Sequence, residues 1–191
     1  MPSTAPDGDP PARPPRRDAV RNRALLVAAA TDAFREEGLD VGVDAIARRA
    51  GVGVATLYRH FPAKGDLVLA VTEALIEAYA EAVRRAIADG PQGALEATLR
   101  LALAKQRENR GFFDALAQRP RDPRLRERHR ALVLPVMEEL AAAAHRTGEL
   151  RDEVGAEDLL VVLRMVGAAT VAQDPERILG ILLRGIAPDR A

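Results

Sequence analysis

The chain has 191 residues, 48% hydrophobic and 3% aromatic, with 28 Lys and Arg set against 28 Asp and Glu; that length suits one domain or two small ones around a real core. The absence of cysteine excludes disulfides, thiolate metal sites and cysteine nucleophiles, and three scattered histidines argue against a histidine-bound metal. With no apolar run of about 18 residues and no apolar leader in MPSTAPDGDPPARPPRR, the expectation is a cytoplasmic protein without a membrane span.

Taken in chain order, residues 1–17 are rich in proline with glycine and aspartate, a composition that buries no core and predicts a disordered tail. From Asp18 the pattern turns helical. Leu25, Leu26, Ala29, Ala30, Ala33 and Phe34 recur at three- and four-residue spacing, one apolar stripe, and Gly38 is placed to end that helix. Short helices are predicted from Val43 to Ala50 and from Val54 to Phe61, where Pro62 intervenes. A longer helix opens at Lys64-Gly65-Asp66 and runs to about Ala88, before the break Asp89-Gly90-Pro91. Further helices are expected over 92–109, in a short segment restarted by Gly111, over 125–147 around Pro135, over 156–172, and after Asp174-Pro175. Nothing shows strand alternation. The reading is an all-α chain of about nine helices.

The stretch AIARRAGVGVATLYRHFPAKGDL, residues 45–67, carries the densest signal. Two helices this short are unstable alone and need a close crossing. Ala47 and Ala50 supply small residues, Gly51 supplies a turn that tolerates positive φ, and Val52 and Leu57 dock the second helix on the first. That is the spacing of a helix-turn-helix, the unit that sets a second helix in the DNA major groove. Leu57 and Phe61 point inward at i, i+4, which leaves Thr56, Tyr58, Arg59, His60 and Lys64 as groups able to meet phosphates or base edges. Each alone also has a plain structural role: a half-buried tyrosine, a solvated arginine, a histidine at a helix end. Their clustering tips the balance. Charge is compatible, since Arg13 to Lys64 holds ten basic and six acidic residues while the stretch from Gly65 onward holds eighteen and twenty, an asymmetry that permits a polyanion partner at the front without demanding one. So few aromatics argue against single-strand binding by base stacking.

These residues, from Ala24 through Phe34-Arg35-Glu36-Glu37-Gly38, then Ile46-Ala47-Arg48-Arg49-Ala50-Gly51-Val52, then Thr56-Leu57-Tyr58-Arg59-His60-Phe61-Pro62-Ala63-Lys64, resemble the N-terminal domain of TetR-family transcriptional regulators. The resemblance covers about 50 residues of the chain. It implies a three-helix DNA-binding domain over 18–64 and a helical regulatory and dimerisation domain over 65–191. The recognition helix would be Val54 to Phe61. Thr56, Tyr58, His60 and Lys64 would meet phosphates, and Val54, Ala55 and Arg59 would lie nearest the bases. Arg59 is the best choice for guanine, whose O6 and N7 a guanidinium can pair together. Arg13, Arg16 and Arg17 would add contacts ahead of the first helix. Three departures bear on single contacts. Gly53 replaces a common serine, Ala55 replaces a usual glycine, and Gly42-Val43 stand near where Thr-Thr often opens the second helix.

The resemblance also implies partners: double-stranded DNA, a second copy of the chain and a small-molecule effector. A reader with one recognition helix gains affinity by dimerising. The last two helices suit that role, with Leu159, Leu163, Val166 and Gly167 on one and Ile178, Ile181 and Leu182 on the other; the competing reading is internal core. A ligand cavity in the middle helices would draw on Tyr79, Leu103, Gln106, Phe112, Phe113, Leu116 and Met137, with His129 and Arg164 as further polar groups, although a pocket wall and a core look alike in sequence. No nucleophile with a base, no metal cluster, no cofactor motif and no phosphate-binding glycine loop is found. The function expected is a DNA-binding regulator, a homodimeric repressor released from a palindromic operator by a ligand. The alternative is a helical binding protein whose helix-turn-helix is only structural.

Overall fold

The computed structural model describes residues 16–117 and 123–189. The tail 1–15 with Arg13, most of the predicted turn at Pro120–Pro123, and the side chains of Arg16 and Leu116 lie outside the described residues. The rest is helical, with no strand among the described residues: α1 Arg16–Glu37, α2 Val43–Arg49, α3 Val54–His60, α4 Lys64–Asp89, α5 Ala94–Glu108, α6 Arg110–Ala117, α7 Pro123–Arg146, α8 Ala156–Ala169 and α9 Pro175–Ile186. None is long and apolar enough to cross a membrane.

Local chemistry sets the ends. Gly38 closes α1 at φ 75° and Gly51 turns the chain between α2 and α3 at φ 69°, a region that side chains other than glycine enter at a cost. At the head of α4 the Asp66 carboxylate accepts from the Ala63 N–H at 2.9 Å, and at α8 Asp158 accepts from Gly155 at 2.9 Å. Asp174 caps α9 by accepting from the Arg177 N–H at 2.9 Å, with Pro175 at the first helical position, where its missing N–H costs nothing.

Two apolar clusters organise the chain. The first gathers Leu26, Ala30 and Phe34 of α1, Ile46 and Ala47 of α2, Leu57 of α3, Phe61, and Leu67 and Val71 of α4. Leu25, expected in the same stripe, is 40% exposed. The second gathers Ala80 and Val83 of α4 with α5, α7, α8 and α9, around Leu99, Leu103, Met137, Leu140 and Leu159. α4 belongs to both. Its 26 residues make a rod of about 39 Å whose first turns pack on α1 in the first cluster and whose later turns sit in the larger cluster.

Candidate nucleic-acid interface

α3 meets the rest of the protein through one buried side chain. Leu57 is 1% exposed, and Phe61, just past the helix, is 2% exposed. The Ala50 N–H bonds to the Ile46 carbonyl at 2.9 Å and the Val52 N–H to Ala47 at 3.0 Å, which fixes the turn leading into α3. The opposite side faces solvent: Val54, Ala55, Tyr58 and Arg59 are exposed, with Tyr58 at 47%. Thr56 and His60 are half-buried. Gly53 is exposed and caps α3 in extended backbone, with no side chain to bond the first turn.

The polar groups on this face are partly tied down. Arg59 Nη2 donates to Thr56 Oγ1 at 2.9 Å, one turn earlier. The Lys64 ammonium donates to the Val41 carbonyl at 2.6 Å, so this lysine also pins the α1–α2 loop to the head of α4. The Arg23 guanidinium lies 5.3 Å from the Phe61 ring centre, within cation–π range. Arg49 pairs with Glu36 at 2.7 Å and reaches Glu37 at 4.0 Å, and this bond raises its pKa above the ordinary arginine value. α2 is thereby braced on α1, and Arg48 remains an exposed cation beside it. The arrangement can present a convex helix with arginine, tyrosine and threonine toward a groove, backed by a rigid support.

Residues 26–71 match the family described as bacterial regulatory proteins, tetR family. Residues 90–188, just over half of the chain, match the C-terminal domain of SbtR-like transcriptional regulators. The TetR transcription regulatory protein of Mycobacterium vanbaalenii is 35% identical, with a TM-score of 0.70 over 91% of this chain and 99% of its own. The chain belongs to the TetR family. A TetR transcriptional regulator of Streptomyces coelicolor is similar at 29% identity and a TM-score of 0.66, over 88% of this chain and 99% of its own. An HTH-type transcriptional regulator of Staphylococcus aureus (strain bovine RF122) is 41% identical over 59 residues, which are 30% of this chain and 32% of that protein. The chain thus spans about a third of the length of such curated relatives.

In this TetR-family regulator the candidate pocket residues divide between the two clusters. Leu103 and Met137 are buried at 2% and 0% in the second cluster, and Tyr79 packs against it. Phe112 and Phe113, expected beside them, instead join the first cluster. Phe112 stacks on Phe34 with ring centres 6.0 Å apart, because α6 turns back and rests on α1. Gly111 permits that approach, since a Cβ there would stand 3.0 Å from the Arg35 carbonyl oxygen. Gln106 is half-buried with its amide against Gly167 of α8, 3.2 Å from where a Cβ would lie. His129 is half-buried, and desolvation, aided by the Arg164 charge, lowers its pKa below 6.5. Two surface grooves lie elsewhere. One of about 420 Å³ runs between the start of α5 and the end of α9, and one of about 550 Å³ runs between α1 and α4.

The expected interface residues differ in their burial within the protomer. Leu159 and Val166 are each 0% exposed, inside the protomer's core, and Gly167 faces Gln106 of the same chain. Leu163, Ile178 and Leu182 are half-buried and Ile181 is 47% exposed. The outward stripe of α8 is Val161 and Met165, at 44% and 48%. The sequence reading missed both, although their i, i+4 spacing in a helix apolar on more than one face was the available signal. Among the described residues no group of three or more potential metal ligands converges.

Proposed function

We propose that this DNA-binding regulator works as a homodimeric repressor, bound through α3 to a palindromic operator and released when a small molecule enters its helical domain. The observation that carries the DNA-reading face is the division of α3: Leu57 buried at 1%, with Val54, Ala55, Tyr58 and Arg59 facing solvent. Arg59 is assigned to a base edge, and Thr56, Tyr58, His60 and Lys64 to phosphates. Self-association is supported by the apolar side chains of α8 and α9 left at the surface, Val161, Met165 and Ile181, which suit a symmetric helical interface.

Release is supported by α4. A molecule that binds more tightly when α4 is shifted moves the head of the rod, and with it α3. Two recognition helices held about 34 Å apart then lose register with successive major grooves.

The test is selection of bound sequences from random double-stranded DNA at fixed moderate salt, using purified full-length protein. Enrichment of a palindrome is expected. Folded protein that enriches nothing overturns the reading. Repression is tested by deleting the gene: expression from promoters carrying the palindrome is expected to rise, and a fall makes the protein an activator.

A further inference from the structure

The outward side of α3 is largely hydrocarbon. The helix reads VATLYRH. Val54 is 36% and Tyr58 47% exposed, and Ala55 is exposed beside them. Val54 and Tyr58 lie one turn apart, as do Ala55 and Arg59, so the four share one continuous face. Leu57, on the other side, is the residue that packs inward.

The polar inventory narrows what this face can read. Asn or Gln pairs with adenine through two bonds, and Asp or Glu accepts from the cytosine amino group. α3 carries none of the four. Arg59 suits guanine. The Thr56 hydroxyl already accepts from Arg59 Nη2 at 2.9 Å. His60 is half-buried beside Phe61, with ring centres 6.4 Å apart. At Val54 and Ala55 only carbon is left to face the bases. An apolar side chain finds one complementary feature in the major groove, the methyl on C5 of a pyrimidine. A cytosine amino group set against Val54 would instead lose water without gaining a partner.

We infer that Val54 and Ala55 form a methyl-reading patch, and that each operator half-site sets a C5-methylated pyrimidine, thymine or 5-methylcytosine, against it. This rests on the reading of α3 as the helix that meets DNA, and adds the chemistry of the base. Ala55 and Arg59 are four residues apart, about 6 Å along a helix, and base pairs rise about 3.4 Å, which puts the methyl roughly two base pairs from the guanine assigned to Arg59. Thymine and 5-methylcytosine present the same methyl, so methylating a cytosine at this position strengthens binding.

The test uses full-length protein and the palindrome enriched from random duplexes that carry no cytosine methylation. Each thymine is replaced singly by deoxyuridine, which deletes the methyl and keeps every hydrogen-bonding group. One position per half-site is expected to respond, with affinity falling about fourfold for one half-site and about 15-fold for both, the scale of burying one methyl group each. It should lie roughly two base pairs from the guanine that Arg59→Ala ceases to distinguish. Val54→Ala and Ala55→Gly should each bring the thymine-to-uracil ratio closer to one. That ratio is internal to each variant, so a general loss of stability or affinity cancels. At the same position a 5-methylcytosine·guanine pair should bind about fourfold more tightly than cytosine·guanine. Thymine returned there by the selection makes thymine the native partner; cytosine there, with the gain on methylation, makes it 5-methylcytosine. A palindrome that tolerates uracil throughout and gains nothing from cytosine methylation overturns the patch and leaves DNA reading intact. A uracil penalty unchanged in both variants also overturns it. If folded protein enriches no sequence, the DNA reading itself falls, and the patch with it.

Discussion

At the scale of single residues, the interface combines groups that read with groups that hold. The Arg59–Thr56 bond restricts a long side chain before DNA arrives, which lowers the entropy lost on binding. Arg59→Ala is expected to relax preference at one base position per half-site, a discrimination of about 1–3 kcal/mol, measured with single-base operator variants. A uniform loss over all variants would remove Arg59 from base reading. Lys64 serves the loop as well, through Val41. Lys64→Ala should weaken every sequence alike and lower the salt slope by about 1 if its charge meets a phosphate. Weaker binding at an unchanged slope would leave it only the tether. His129 makes a pH prediction. Its folded pKa lies below 6.5, so the unfolded chain binds the extra proton first. Stability is therefore full above pH 6.5 and declines as pH falls from there through the folded pKa. His129→Gln should flatten that part of the stability profile in denaturant titrations; an unchanged profile would place the decline elsewhere.

At the scale of elements, α6 depends on one glycine. Gly111→Ala would push a methyl within 3.0 Å of the Arg35 carbonyl, a backbone atom that yields little. Overpacking of this kind costs about 1–3 kcal/mol, more than the roughly 1 kcal/mol that alanine returns in helix propensity. Net destabilisation is expected, read by denaturation. Gly65→Ala, with nothing within 4 Å of its would-be Cβ, should instead be neutral or stabilising. If both alanines stabilise, α6 is free to shift away from α1. The element pattern itself was legible in the sequence, because glycines, prolines and an aspartate cap mark the helix ends and three-and-four spacing marks the apolar stripes. What spacing cannot convey is which cluster a stripe joins. Phe112 and Phe113 read as pocket residues because they follow α5, whereas α6 turns Phe112 onto Phe34, with Phe113 edge-on to Phe112. In α8 two apolar stripes run side by side, and only packing tells that Leu159 and Val166 face inward while Val161 and Met165 face out.

At the scale of the whole molecule, the outward stripe decides whether two α3 helices act together. Single apolar side chains at a surface need no explanation, but Val161, Met165 and Ile181 lie on the two helices that pack together at the end of the chain. A stable interface buries on the order of 1,000 Å² or more in total, so α8 and α9 from both copies must contribute. Met165→Asp places a charge in that face without entering the protomer's core, because about half of Met165 is already solvated. The variant should keep a wild-type helical spectrum and melt within a few degrees of wild type, yet sediment as a monomer at micromolar concentration. Its affinity for a full palindrome should drop by a factor of about 10² or more, since the second half-site no longer acts in the same complex, while binding to an isolated half-site changes little. Leu159→Asp, buried at 0% in the same helix, should instead unfold the domain, for a carboxylate there has no partner. If Met165→Asp stays dimeric, the two copies meet elsewhere and α8 presents an unused surface. If it is monomeric but still holds the palindrome at wild-type affinity, the two helices reach DNA independently, and a ligand moving α4 would have no half-site spacing to disturb.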